Sequence, residues 1–428
     1  MKAMQRRLTY LFLNTLLVFI CRSPAQKSNI IDLQHADTMK GKILDGEEVR
    51  ELIGNVHFLQ FPTSGGLVKI WCDRGLRFMV QNKIELFGNV KVVRDSVTIR
   101  SKEGIYYGNQ RMMEGRNGVE LERGKTLLTA VNAKYFIDEK RSLFWDNVIL
   151  VDTSSIVTCN ILNYYETEAR SVATGGVHMF ENDNAVNIYG DSLIHLEQQK
   201  FTLVMKQPRL VKIDTSADGI IDTMVVESRI MQSFQDTTER FVAIDSVRMV
   251  KSDMSSRCGT ATYFVHKDII ALQTHPIIWN GENQITGDSI RVLMEDKKLR
   301  NLWVKNRAMA ISRVDTALPN RFNQLTGREL TMYFRADKLE QVDVQKNATS
   351  LYYLFDNKEP NGVNKSSGDR ILIDFIGGEV DRIKVIRGVQ GQYFPEKMII
   401  HHEPDYNLDG FRLFENRPKR QGIKIVSE

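Results

Sequence analysis

The sequence predicts an all-β protein: antiparallel strands, repeated along the chain and stacked into an array of two facing sheets. Three observations lead there. Apolar and polar residues alternate with period two in one segment after another. One such segment recurs at a fixed interval. Helical periodicity is nearly absent once the first 25 residues are set aside.

Those residues have a different character. Lys2, Arg6 and Arg7 precede an apolar run from Leu8 to Ile20, followed by Ser23-Pro24-Ala25. This pattern predicts a secretory signal peptide over residues 1–25, cleaved after Ala25. The run is too short for a spanning helix, which needs about 20 apolar residues. Bulky Phe19 and Ile20 before Cys21 argue against a lipoprotein anchor. Without Lys2, Arg6, Arg7 and Arg22, the 58 basic residues fall to 54 against 53 acidic ones. That balance excludes a polybasic nucleic-acid binder. Cys72, Cys159 and Cys258 are far apart and form no C-x-x-C pair. They read as small half-buried residues, not as a disulfide framework or zinc site. No later apolar run is long enough to span a bilayer as a helix, so a soluble mature chain outside the cytoplasm is expected.

The repeat is clearest in Leu86-Phe-Gly-Asn-Val-Lys-Val-Val93, which echoes Leu52-Ile-Gly-Asn-Val-His-Phe-Leu59. The valine and the apolar residue two places on recur as Val56/Phe58, Val90/Val92, Val119/Leu121, Val148/Leu150 and Val177/Met179. The last four valines are 29 residues apart, and Ile99, Leu128 and Val157 follow at constant offset, as do Tyr106, Tyr135 and Tyr164. A unit of this length holds two or three short strands. Ile84, Leu86, Val90 and Val92 share one parity while Glu85, Asn89 and Lys91 share the other, the pattern of a half-buried antiparallel strand. Gly54, Gly88 and Gly175, with Asn117 and Asp146 at the same place, mark a bulge or bend.

The second half of the chain repeats the theme loosely. Tyr189-Gly-Asp-Ser-Leu193 resembles Thr286-Gly-Asp-Ser-Ile290, and Gly287, Gly327 and Gly368 stand 40 and 41 residues apart. Asp214-Thr-Ser-Ala-Asp-Gly219 reads as a linker. The expected organisation is a β-repeat domain over 28–214, a more divergent one over 220–400, and a solvated tail over 401–428.

A stacked strand array has a continuous apolar interior. If the sheets meet tightly that interior is core; if they splay it is a groove for acyl chains. The pattern leaves both open. The inward positions are Val56, Phe58, Leu86, Val90, Val92, Ile99, Val119, Leu121, Leu128, Val148, Leu150, Val157, Val177 and Met179. The sequence has no P-loop, G-x-S-x-G or H-E-x-x-H. His401-His402-Glu403 reads as an exposed turn, and the three tyrosines as strand-end packing in preference to sugar stacking. No catalytic residue, metal site or cofactor is expected.

The recurring Gly54-Asn55-Val56, Gly88-Asn89-Val90, Gly118-Val119, Asn147-Val148 and Gly176-Val177, with Tyr106, Tyr135, Tyr164 and a secretory leader, resemble the OstA/LptA-type domain of lipopolysaccharide transport. The resemblance covers Ile30 to Leu210 well and continues more weakly through Ile399. It implies an open, twisted jellyroll-like array in the periplasm, peripheral to the outer membrane if it docks there. It implies the lipid A moiety of lipopolysaccharide in the interior, and other transport proteins, including an outer-membrane translocon, as partners. It also allows end-to-end self-association. Two other readings stand beside this non-enzymatic carrier: a structural β-repeat protein of the cell envelope with a closed core, and a β-solenoid that binds or cleaves polysaccharide.

Overall fold

The computed structural model describes residues 31–419, apart from 61–65, 154, 183–184, 216–220, 253, 296–297, 316, 337 and 358. The expected signal peptide lies outside the described residues, as does most of the expected linker. The fold is all-β and antiparallel throughout, as the alternation predicts. Strands run from Ile31–His35 to Gln390–Phe394, and each long strand pairs mainly with its neighbours in sequence.

Each long strand also bends near its middle. Register slips between Ile53 and Val56, Phe87 and Val90, Trp145 and Val148, Thr174 and Val177, Ile244 and Val247, and Lys305 and Ala308. The slip falls on two consecutive residues with left-handed backbone, such as Gly88 (φ 70°) and Asn89 (φ 44°), or Gly54 (φ 75°) and Asn55 (φ 44°). This is the place where the sequence puts Gly, Asn or Asp. In the second half the same corner is built from Asp245-Ser246 and Asn306-Arg307. A left-handed non-glycine residue costs roughly 1–2 kcal/mol, so the surrounding pairing holds these corners in place. The line of bends folds the ribbon into two leaves. The first contains residues 47–53, 74–78 and 83–87 and their successors; the second contains 56–60, 68–72 and 90–94 and theirs.

The leaves share an apolar interior. One buried cluster runs from Ile31 to Tyr106 and a second from Val119 to Ile373. The second spans both expected repeat domains, and the strands flanking the linker, Arg209–Thr215 and Ile221–Glu227, pair with each other. The spaced glycines lie at the inner side of the corners. A Cβ on Gly190 would stand 2.6 Å from Val204 Cγ1, and one on Gly368 would stand 2.7 Å from Val385 Cγ1. Gly287 and Gly327 meet Val304 and Val344 in the same way.

The C-terminal segment departs from the expected solvated tail. After a short helix, Glu396–Ile399, the chain turns back along the outer side of the second leaf. Ile399 and Leu408 are buried there with Met309, Ile311, Phe322, Leu351, Tyr353 and Val363, and Tyr406 and Phe411 pack against them. Arg321, with a side chain only 4% exposed, pairs with Glu396 at 2.6 Å and Glu403 at 3.3 Å. The expected exposed turn at His401-His402-Glu403 therefore contributes Glu403 to an ion-pair network. Sequence reading missed this because the segment's apolar residues dock singly, with no period.

Candidate lipid-binding groove

The inward residues form one lateral row across the second leaf. Cross-strand partners follow one another without a break: Leu33, Phe58, Ile70, Val92, Ile99, Leu121, Leu128, Leu150, Val157, Met179, Ile188, Leu210, Val226, Met249, Ser256, Ile278, Ile285, Ala310 and Leu325. Ser256 is the sole polar member, and its hydroxyl is buried without a hydrogen-bond partner among the described residues. Beyond Leu325 the row becomes Ser350, Ser366 and Gly391, so the apolar path stops short of the last strands.

All fourteen positions singled out by parity lie inside. Phe58, Val92, Ile99, Leu121, Leu128, Leu150, Val157 and Met179 belong to this row. Val56, Val90, Val119, Val148 and Val177 follow the bends, and Leu86 faces them from the first leaf. Val92, Ile99, Leu121 and Leu150 are partly buried against the same clusters, and the others are buried. The three cysteines have a repeat position too: Cys72, Cys159 and Cys258 pair with Val56, Val148 and Val247. Burial pushes the Cys72 and Cys258 thiols up to about 12 and that of Cys159 to about 11, which suits packing and not nucleophilic attack.

Where the leaves meet opposite the bends, polar residues join them. Gln60 Nε2 donates to the Tyr106 hydroxyl at 3.0 Å, Arg94 Nη1 to that of Tyr135 at 2.6 Å, and Arg123 Nη1 to that of Tyr164 at 3.0 Å. Further along, Gln235 Nε2 donates to Glu181 Oε1 at 3.2 Å, and the Lys212 ammonium lies 5.3 Å from the Tyr263 ring centre. The repeat tyrosines thus clasp one leaf to the other. Burial raises the Tyr106 and Tyr135 hydroxyls above the usual phenol range. The clasps were not legible in sequence because each joins residues more than 40 positions apart.

Between the leaves there is an apolar cavity of about 50 Å³, lined by Val186, Ile188, Leu210, Val226, Met249 and their neighbours. It lies past Met179, beyond every parity candidate. Its lining continues the same lateral row, but the fixed repeat has lapsed there, so only strand pairing reveals it. The cavity is far smaller than the several hundred Å³ of a site that engulfs a ligand. An acyl chain would enter only if the leaves part.

Residues 27–137 match the family model described as OstA-like protein. These strands resemble the OstA/LptA-type family. The likeness is the one expected from the repeat, and the matched stretch holds its first three copies, at Val56, Val90 and Val119. Among solved structures, the chain is similar to LptH from Pseudomonas aeruginosa, described as the LptA homologous periplasmic component of the lipopolysaccharide transport device. The two are 11% identical over 35% of this chain and 82% of that one, with a TM-score of 0.19, a level that carries no weight for fold or function. No curated protein matches the sequence.

Proposed function

We propose that this protein is a periplasmic lipid-binding scaffold of lipopolysaccharide transport to the outer membrane, and not an enzyme. The observation that supports the reading most is the lateral row from Leu33 to Leu325, apolar but for Ser256, whose first strands lie within the OstA-like match over residues 27–137. Each methylene taken from water contributes about 0.8 kcal/mol, so a saccharolipid crossing an aqueous space needs such a continuous path. Its acyl chains would lie between the leaves and its sugars outside. Energy for directed movement comes from elsewhere in this scheme.

The ends of the array suit docking by other transport components, an outer-membrane translocon among them, or by a second copy. Among the described residues Thr38–Leu44 pairs only with Glu47–Gln60, and every one of its residues is exposed. Unpaired strand edges accept further strands.

Photo-crosslinkers at Leu128, Met179 and Leu210, compared with outward Lys91 and His178, test the reading. Lipopolysaccharide adducts from the inward set alone are expected; adducts from the outward set alone would sink it. A closed-core structural protein is the second reading, favoured by the clasps and the small cavity. Mass spectrometry of the purified protein separates the two: co-purifying lipid supports the carrier, and its absence after extraction from membranes rich in lipopolysaccharide supports the closed core.

A further inference from the structure

The outer side of the second leaf carries a cleft with chemistry opposite to that of the interior. Its volume is about 1250 Å³. Arg209, Glu227, Arg248 and Arg257 form a lateral row one residue out of phase with Leu210, Val226 and Met249, so they point away from the apolar interior. Arg229 stands at the corner beside them. The returning C-terminal segment supplies the other wall with Arg412, Arg417 and Lys419.

That wall is fixed by hydrogen bonds. Gln284 grips the segment twice, donating to the Arg412 carbonyl at 2.7 Å and accepting from the Phe414 N–H at 2.9 Å. Trp279 Nε1 donates to the Phe414 carbonyl at 3.2 Å. Arg417 donates to Ser255 Oγ at 3.1 Å and to the Gly281 carbonyl at 2.7 Å.

The charge is unbalanced. Among the described residues, Glu227 is the sole carboxylate lining the cleft, and Asp245, outside it, pairs with Arg229 at 2.9 Å. Glu227 is engaged by Arg248 at 3.0 Å. Arg248 and Arg257 are direct cross-strand partners, a destabilising like-charge pairing that Glu227 offsets on the Arg248 side. Arg209 Nε is buried without a hydrogen-bond partner among the described residues. Guanidinium groups present planar forks that match phosphate oxygens two at a time, and all but one of the cationic side chains here are arginines. A compact cleft walled on both sides suits a compact polyanion better than an extended acidic polypeptide.

We propose that this cleft binds a multiply phosphorylated head group. It lies outside the leaves and stands whether or not the interior carries lipid. The test titrates the full mature chain with inositol hexakisphosphate, by calorimetry and by the fluorescence of Trp279 and its neighbours. The same titration is run with the variant Arg412→Gln/Lys419→Gln, whose two positions are exposed, and with Arg209→Gln/Arg257→Gln. Arg300→Gln/Arg335→Gln, remote from the cleft, is the control. The expected result is saturable binding that weakens about tenfold in each cleft variant and is unchanged in the control. Phosphatidylcholine vesicles with and without phosphatidylinositol bisphosphate distinguish the source. Binding to the phosphatidylinositol bisphosphate vesicles that is lost with the same variants places the group on a lipid; binding of the soluble probe alone places it on a free phosphate ester. Absence of binding by the wild-type chain, undiminished binding by both cleft variants, or tighter binding of polyglutamate than of the phosphorylated probe would each overturn the proposal.

Discussion

Arg94 Nη1 donates a 2.6 Å hydrogen bond to the Tyr135 hydroxyl, and the two residues stand on opposite leaves of the folded ribbon. With Gln60–Tyr106 and Arg123–Tyr164, the contact forms a line of clasps along the side opposite the bends. The clasps hold the two leaves together there.

Tyr135→Phe keeps the ring and removes the acceptor. The Arg94 guanidinium then loses that hydrogen bond; its Nε is already buried without a hydrogen-bond partner among the described residues, with the Asp95 carboxylate no nearer than 3.8 Å. Loss of a hydrogen bond to a charged group predicts destabilisation of about 1.5–3 kcal/mol, read as a lower urea midpoint with unchanged slope. If lipid enters through this side, the same variant loads lipid faster in a transfer assay.

Ser256→Ala should stabilise the protein. The hydroxyl is buried in an apolar row and makes no hydrogen bond among the described residues. Burying it costs about 1–3 kcal/mol, and alanine removes that cost at the expense of little volume. A rise in the denaturation midpoint is expected, and a fall would show that the hydroxyl has a partner.

Gly88→Ala should be costly for two reasons that a double mutant separates. The backbone is left-handed there (φ 70°), and a Cβ would collide with the Asp73 carboxylate, which accepts from Asn89 Nδ2 at 2.8 Å. A loss of about 1–3 kcal/mol follows from strain and clash together. Adding Asp73→Ala relieves the clash alone, so the double variant should lose less than the sum of the singles.

Alkaline pH should weaken the fold through the cysteines. Burial raises the Cys72 and Cys258 thiols from 9.0 to about 12 and Cys159 to about 11. Below the unfolded value both states hold the proton, so this contribution is fully present. As pH rises beyond it the unfolded chain releases protons that the folded chain keeps, and stability is lost between about 9 and 12. Replacing all three with Ala should flatten the decline relative to the wild type. In the native protein a thiol reagent at pH 8 should label none of the three until denaturant is added.

Much of this was legible in the chain. The parity of Leu86, Val90 and Val92 assigns their face correctly, because a strand's side chains alternate whatever the fold around it. Gly88 reads as a bend because few residues tolerate its conformation. The corner at Asp245-Ser246 escaped notice because the 29-residue spacing that singles out Asp146 has lapsed by Val247. The row of cations at Arg209, Arg248 and Arg257 was equally hidden: strand pairing assembles it from distant segments, and the near balance of 54 basic and 53 acidic residues beyond residue 25 conceals it. Packing that depends on single, unpatterned contacts, such as Leu408 against the second leaf, leaves no periodic trace.

The constant spacing of Val90, Val119, Val148 and Val177 has a mechanical corollary. Each unit adds two strands, and neighbouring strands lie about 4.8 Å apart, so each lengthens the array by roughly 10 Å. Contacts reach mainly to adjacent strands, so a unit can be inserted or excised with the remainder still in register. The repeat thus acts as a ruler: the number of copies, and not the identity of any one residue, sets the distance the apolar interior can span.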